Sequence, residues 1–166
     1  MMNTLIWSLL IVLNSGLNKT LMERSKTASF TPHKSLEMIR PSYLKPGDTV
    51  AVLAPAGVLK QDTEVIQKTK TLLNSWGLKV LFGDQLQTKS NHFAGTDAQR
   101  SCDFQNALDN PNIKAIWCAR GGYGSLRIID DLDFEGFKAH PKWIVGYSDV
   151  TVLHNALNNL GYESLH

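Results

Sequence analysis

The 166-residue chain lacks several features that mark whole classes of function. It has only two cysteines, Cys102 and Cys118, with no C-x-x-C pair and no histidine at ligand spacing, so neither a disulfide framework nor a metal site is expected. Charge runs are absent, and 17 basic against 15 acidic residues give a net charge of +2, which excludes an electrostatic case for nucleic acid or an anionic membrane surface. No apolar run is long enough to cross a bilayer. The longest, LIWSLLIVL at residues 5–13, has the size of a signal-peptide core, yet no Lys or Arg precedes it and Asn14-Ser15-Gly16 is a poor cleavage site. A cytoplasmic location is expected, with secretion or membrane association through residues 5–13 as the alternative.

What is present is an alternation of strand and helix signals after a polar lead-in. Residues 1–40 lack a sustained period and read as a flexible or targeting-like extension, and a folded domain is expected over residues 41–166. Thr49 to Ala54 is a β-rich apolar run after the Pro46-Gly47-Asp48 turn. A helix follows from Asp62, with Val65, Ile66, Thr69, Leu72, Leu73 and Trp76 on one face and Gly77 at its end. Leu78–Phe82 reads as the second strand. Thr96-Asp97-Ala98-Gln99 has the form of a capping box opening a helix to about Leu108, and Ile113–Cys118 reads as the third strand. A short helix from Ser125 to about Leu132 and a fourth strand at Trp143–Val145 complete the set. This alternation predicts βαβ units: an open, mainly parallel sheet with helices on both faces.

In such sheets functional groups collect at the carboxyl ends of the strands. Three stretches fall there: Pro55-Ala56-Gly57, Arg120-Gly121-Gly122-Tyr123-Gly124, and Gly146-Tyr147-Ser148-Asp149. Ser148 lies on a strand-to-helix turn, since Leu153, Ala156, Leu157 and Leu160 behind it recur at helical spacing. Free N–H groups at that turn can stabilise an oxyanion, although no adjacent base is legible. The match to the G-x-S-x-G elbow is partial, because Val150 replaces the second glycine, and a serine capping a helix is the plain alternative. The glycine run fits either close approach to an anion or a tight turn. Ser125 is the rival nucleophile, with a helix-capping role expected for it. His154, about 9 Å along the helix axis from Ser148, is expected to be structural or on the surface. His92 sits in a loop with no neighbour that identifies it as a base, and the acidic cluster Asp130, Asp131, Asp133 and Glu135 matches no calcium loop.

Taken together, Lys45-Pro46-Gly47-Asp48, Ala54-Pro55-Ala56-Gly57, Phe93-Ala94-Gly95-Thr96-Asp97, Ile116 to Gly124 and Trp143 to Thr151 resemble the N-terminal domain of the LD-carboxypeptidases, the serine peptidase family of murein tetrapeptide carboxypeptidases. The resemblance implies a flavodoxin-like domain, Ser148 as nucleophile, and an oxyanion hole from the N–H of Asp149 and a glycine of the Arg120 loop, Gly121 or Gly122. Arg120, Tyr123, Pro55, Ala56 and Gly57 would form the substrate rim, with no cofactor and no metal. The implied substrate is a murein peptide that loses its terminal D-alanine, and a homodimer is expected of the full-length enzyme. The family's glutamate and histidine lie in a second domain beyond His166, so the 166 residues alone are expected to be inactive. Two alternatives stand beside this: a non-catalytic peptide- or anion-binding domain of the same shape, and an immunity peptidase of the same family acting on a peptide-nucleotide antibiotic.

Overall fold

The computed structural model describes residues 37–59 and 63–166, so residues 5–13 lie outside it. Four strands, β1 (Thr49–Leu53), β2 (Lys79–Phe82), β3 (Ile113–Cys118) and β4 (Trp143–Val145), form one sheet in the order β2-β1-β3-β4. All three pairings are parallel, as the flavodoxin-like reading requires. The helices are α1 (Thr63–Ser75), α2 (Asp97–Asp109), α3 (Ser125–Ile128), α4 (Glu135–Ala139) and α5 (Thr151–Asn159), with short 3-10 turns at Ile129–Asp131 and Ser148–Val150. No helix among the described residues is long and apolar enough to cross a membrane.

The two-residue period of β1 divides the core between the faces of the sheet. Val50 and Val52 pack with Leu73 of α1, Leu78 and Leu86, whereas Ala51 and Leu53 face Phe104 and Leu108 of α2, Phe137 of α4 and Leu153 and Leu157 of α5. Each fully buried residue of this kind contributes about 1.5–3 kcal/mol. Beyond α5 the chain returns beside β4, where the Leu165 N–H donates to Ile144 O and Gly146 N–H donates to Leu165 O, both at 3.0 Å. In the same C-terminal segment Tyr162 bridges to Ile39 and Glu163 pairs with Arg40.

Three local expectations are revised. The segment Ser125–Leu132 divides into α3 and a 3-10 turn, and α4 was not anticipated. Ser125 does not cap α3, because Gly124 is the residue at the cap position and no side-chain capping bond forms. The apolar stripe of α1 is half covered: Leu73 is buried, but Leu72 and Trp76 are 47% and 51% exposed. Trp76 borders an apolar groove of about 420 Å³ with Tyr43, Leu44, Trp143, Val145 and Leu165. One helix is too narrow to cover that face from β1 to β4.

Two charged anchors hold the helix ends. The fully buried Lys142 ammonium donates to the carbonyls of Ala107, Leu108 and Asn110 at 2.7–2.8 Å, closing the C-terminus of α2. Burial pushes its pKa down to about 8, while the three carbonyls and the helix dipole favour the charge. At the other end, the capping box of Thr96 and Gln99 forms as expected. Beside it, Asp97 accepts from both the buried Arg100 and Arg127, and both guanidiniums lie over the Phe93 ring. Hydrogen bonding from Arg127 holds the Asp97 carboxyl below the usual carboxylate range.

Lys142→Met should leave the Ala107 and Leu108 carbonyls without a donor, Asn110 O still accepting from Ile113 N–H, and lower stability by about 3 kcal/mol, read from urea unfolding. A depressed folded-state pKa at Asp97 stabilises above the unfolded value and is lost as pH falls through the folded one. Asp97→Asn should therefore melt lower than the parent at neutral pH, and the gap should shrink below about pH 4. A gap independent of pH would mean that the carboxylate charge contributes nothing.

Candidate active site

The exits of β1, β3 and β4 are interlocked through glycines. Gly57 N–H donates to Gly121 O at 3.1 Å. A Cβ on Gly57 would stand 2.9 Å from that oxygen, and one on Gly124, whose φ is 151°, would stand 2.9 Å from Ala56 Cα. A Cβ on Gly121 would meet Tyr147 O at 3.0 Å and both Asp149 N and Ser148 Cβ at 3.3 Å. The glycine loop therefore lies directly on the Ser148 turn. Pro55, Ala56 and Gly57 are buried and support this loop from beneath. Arg120, Gly122, Tyr123 and Tyr147 are exposed around it. Arg120 Nη1 is fixed by donating to Val58 O at 2.9 Å.

Ser148 has φ of 63°, a left-handed conformation shared among the described non-glycine residues only by Asn91. Such a residue stores about 1–3 kcal/mol of strain. Its position follows from the tight reversal between β4 and the next helix, permitted by Gly146, where a Cβ would be 2.9 Å from Val150 Cγ1 and 3.0 Å from Cys118 Cβ. The buried Val150 pulls the turn inwards and leaves the Ser148 side chain at the exposed rim. Ser125, the rival, is fully buried, and its hydroxyl has no hydrogen-bond partner among the described residues.

Asp149 divides its polar groups. The carboxylate accepts from the Ser125 N–H at 2.8 Å, while the amide lies against Gly121. The N–H groups of Gly121, Gly122 and Asp149 meet no acceptor among the described residues, and Gly121 lies against the Asp149 amide and Ser148. Unpartnered backbone donors are what an oxyanion site draws on.

No histidine among the described residues hydrogen-bonds to Ser148. His154 is buried with both nitrogens engaged: Nε2 must donate to Gly146 O at 2.8 Å, leaving Nδ1 to accept from Ser164 Oγ at 2.8 Å. Its role is to clamp the carbonyl two residues before Ser148, a contact that sequence spacing did not suggest. His92 lies tilted against Phe93 with ring centroids 3.9 Å apart, His166 meets Thr151 Oγ1, and His140 stands at the C-terminal cap of α4, ahead of β4. Burial pushes the Cys118 thiol up to about 12, too high for a thiolate nucleophile. Among the described residues no group of three His, Cys, Asp or Glu side chains is placed to hold a metal.

Residues 50–166 match the family model of the LD-carboxypeptidase N-terminal domain. The murein tetrapeptide carboxypeptidase of Pseudomonas aeruginosa is 36% identical over 118 residues, covering 70% of this chain and 38% of that protein. The solved muramoyltetrapeptide carboxypeptidase from Oxalobacter formigenes superposes with a TM-score of 0.62 at 34% identity, over 70% of this chain and 38% of that one. The microcin C7 self immunity protein MccF, solved with adenosine monophosphate, gives 0.68 at 26% identity, over 75% and 37%. The chain spans less than half the length of each of these proteins. With the parallel sheet, the interlocked glycine loop and the serine turn all falling inside the matched residues, the chain belongs to the LD-carboxypeptidase family.

Proposed function

We propose that this chain is the nucleophile-bearing domain of a serine-type LD-carboxypeptidase that removes the terminal D-alanine from murein tetrapeptides. The observation that carries this reading is Ser148: exposed, held left-handed at φ 63°, and flanked by free amides from two loops. Ser148 Oγ attacks the scissile carbonyl carbon, and the developing oxyanion is received by the N–H of Asp149 and of Gly121 or Gly122. Collapse of the tetrahedral intermediate expels D-alanine and leaves an acyl-enzyme that water then cleaves. The proton from Ser148 needs a base, and none of the described histidines, His92, His140, His154 and His166, hydrogen-bonds to Ser148. In the family that base comes from a second domain, and the 166 residues alone would then be without turnover. Exposed Tyr123 and Tyr147, with Arg120, line the side from which a peptide would approach.

A second reading, an immunity peptidase acting on a peptide-nucleotide antibiotic, is supported by the superposition on the microcin C7 self immunity protein. It uses the same nucleophile, so substrate choice alone separates the two.

In a form of the protein that carries the second domain, Ser148→Ala should lower kcat for D-alanine release by about 10⁶. Ser125→Ala, which removes a buried hydroxyl with no partner among the described residues, should keep most of the activity. Circular dichroism should be unchanged in both. Retained activity in Ser148→Ala with loss in Ser125→Ala would overturn the assignment. Turnover of an aminoacyl-nucleotide, but not of the tetrapeptide, would favour the second reading.

A further inference from the structure

The proposed oxyanion hole consists of two pieces of backbone that no secondary structure joins. One donor is the Asp149 amide on the turn after β4, and the other is Gly121 or Gly122 on the loop after β3. To act together, both must point at one oxygen from about 2.7–3.1 Å. The β3 loop has little stiffness of its own, because Gly122 and Gly124 have φ of 109° and 151°, regions that glycine enters freely and leaves as freely. Gly57 N–H holds the loop's near end through Gly121 O.

Its far end is held by the serine turn itself. The Asp149 carboxylate reaches across 24 residues of sequence to accept the Ser125 N–H at 2.8 Å, in a part-buried setting. A carboxylate acceptor makes this bond roughly twice as strong as a neutral pair. The Ser125 hydroxyl adds no hold, since it has no partner among the described residues. The buried Arg100 guanidinium lies close enough to feel the Asp149 charge, which places that charge among groups that compensate it.

We infer that Asp149 is a positioning residue as well as an oxyanion donor: its amide supplies one donor while its carboxylate tethers the loop that presents the other. Serine and glycine loop thus move as one unit. The catalytic consequence rests on the serine-peptidase reading, whereas the tether itself does not.

The test has two arms. In this chain, hydrogen exchange of the Ser125 amide, the loop amide that Asp149 accepts from, is compared among the parent, Asp149→Ala and Asp149→Asn. The alanine variant should exchange about tenfold faster or more, and the asparagine variant, whose amide oxygen still accepts, should stay within about threefold of the parent. Should the alanine variant fail to fold, Asp149→Ser, whose hydroxyl reaches less far, takes its place with the same expectation. Unchanged exchange in the alanine or serine variant overturns the tether. In the form with the second domain, Asp149→Ala should lower kcat for D-alanine release about 10- to 100-fold with KM little altered, and Asp149→Asn should recover most of it. Equal losses in both variants, or a rise in KM alone, would overturn the positioning role. Full turnover in Ser148→Ala alongside the predicted exchange would sink the serine reading and leave the tether standing.

Discussion

The site depends on one close approach, that of Gly121 to the backbone of Tyr147, Ser148 and Asp149. A single Cβ at residue 121 would meet three atoms of that turn within 3.3 Å. Any side chain there would push the glycine loop off the serine and separate the free amides. The approach is possible because β1, β3 and β4 are adjacent and parallel, so their carboxyl ends, and the loops leaving them, fall together. Sheet topology brings the loops near, and missing side chains let them touch.

Such a site is locally unfavourable. A left-handed serine and a fully buried arginine each carry a penalty, of about 1–3 kcal/mol for the former. The surroundings offset it with specific supports. Val150, wholly buried, anchors the turn behind Ser148, and a comparable side chain is worth about 1.5–3 kcal/mol on burial. His154 fixes the Gly146 carbonyl in front of it. Asp97 neutralises Arg100 and draws Arg127 in beside Phe93. One anchored turn therefore lies between two clamps, and its strain is a local feature on a rigid sheet.

Much of this was legible in the sequence, for identifiable reasons. Strand positions follow from short apolar runs with turn residues at their ends, and the capping box of Thr96 and Gln99 is a signal complete within four residues. The grouping of the three loops follows from parallel topology alone. The clamps were not legible, because each joins residues far apart in sequence with no local pattern: Asp149 to Ser125, and His154 to both Gly146 and Ser164. Periodicity placed His154 on the helix but could not show that its ring turns back towards the strand exit. The capping role expected of Ser125 failed because the preceding Gly124 occupies the cap and burial seals the hydroxyl inside. The apolar stripe of α1 misled for a different reason: hydrophobic spacing marks a face, and only packing decides how much of it finds a partner.

Trapping the covalent intermediate tests the role of Ser148 most directly. The form of the protein with its second domain is mixed with a murein tetrapeptide, quenched in acid within one turnover, digested with trypsin and read by mass spectrometry. If Ser148 is the nucleophile, a peptide beginning at Trp143, containing Ser148 and heavier by the tripeptide acyl group is expected. An acyl group on the Gly121–Arg127 peptide, which contains Ser125, would contradict it, as would steady turnover with no acyl-peptide at any quench time.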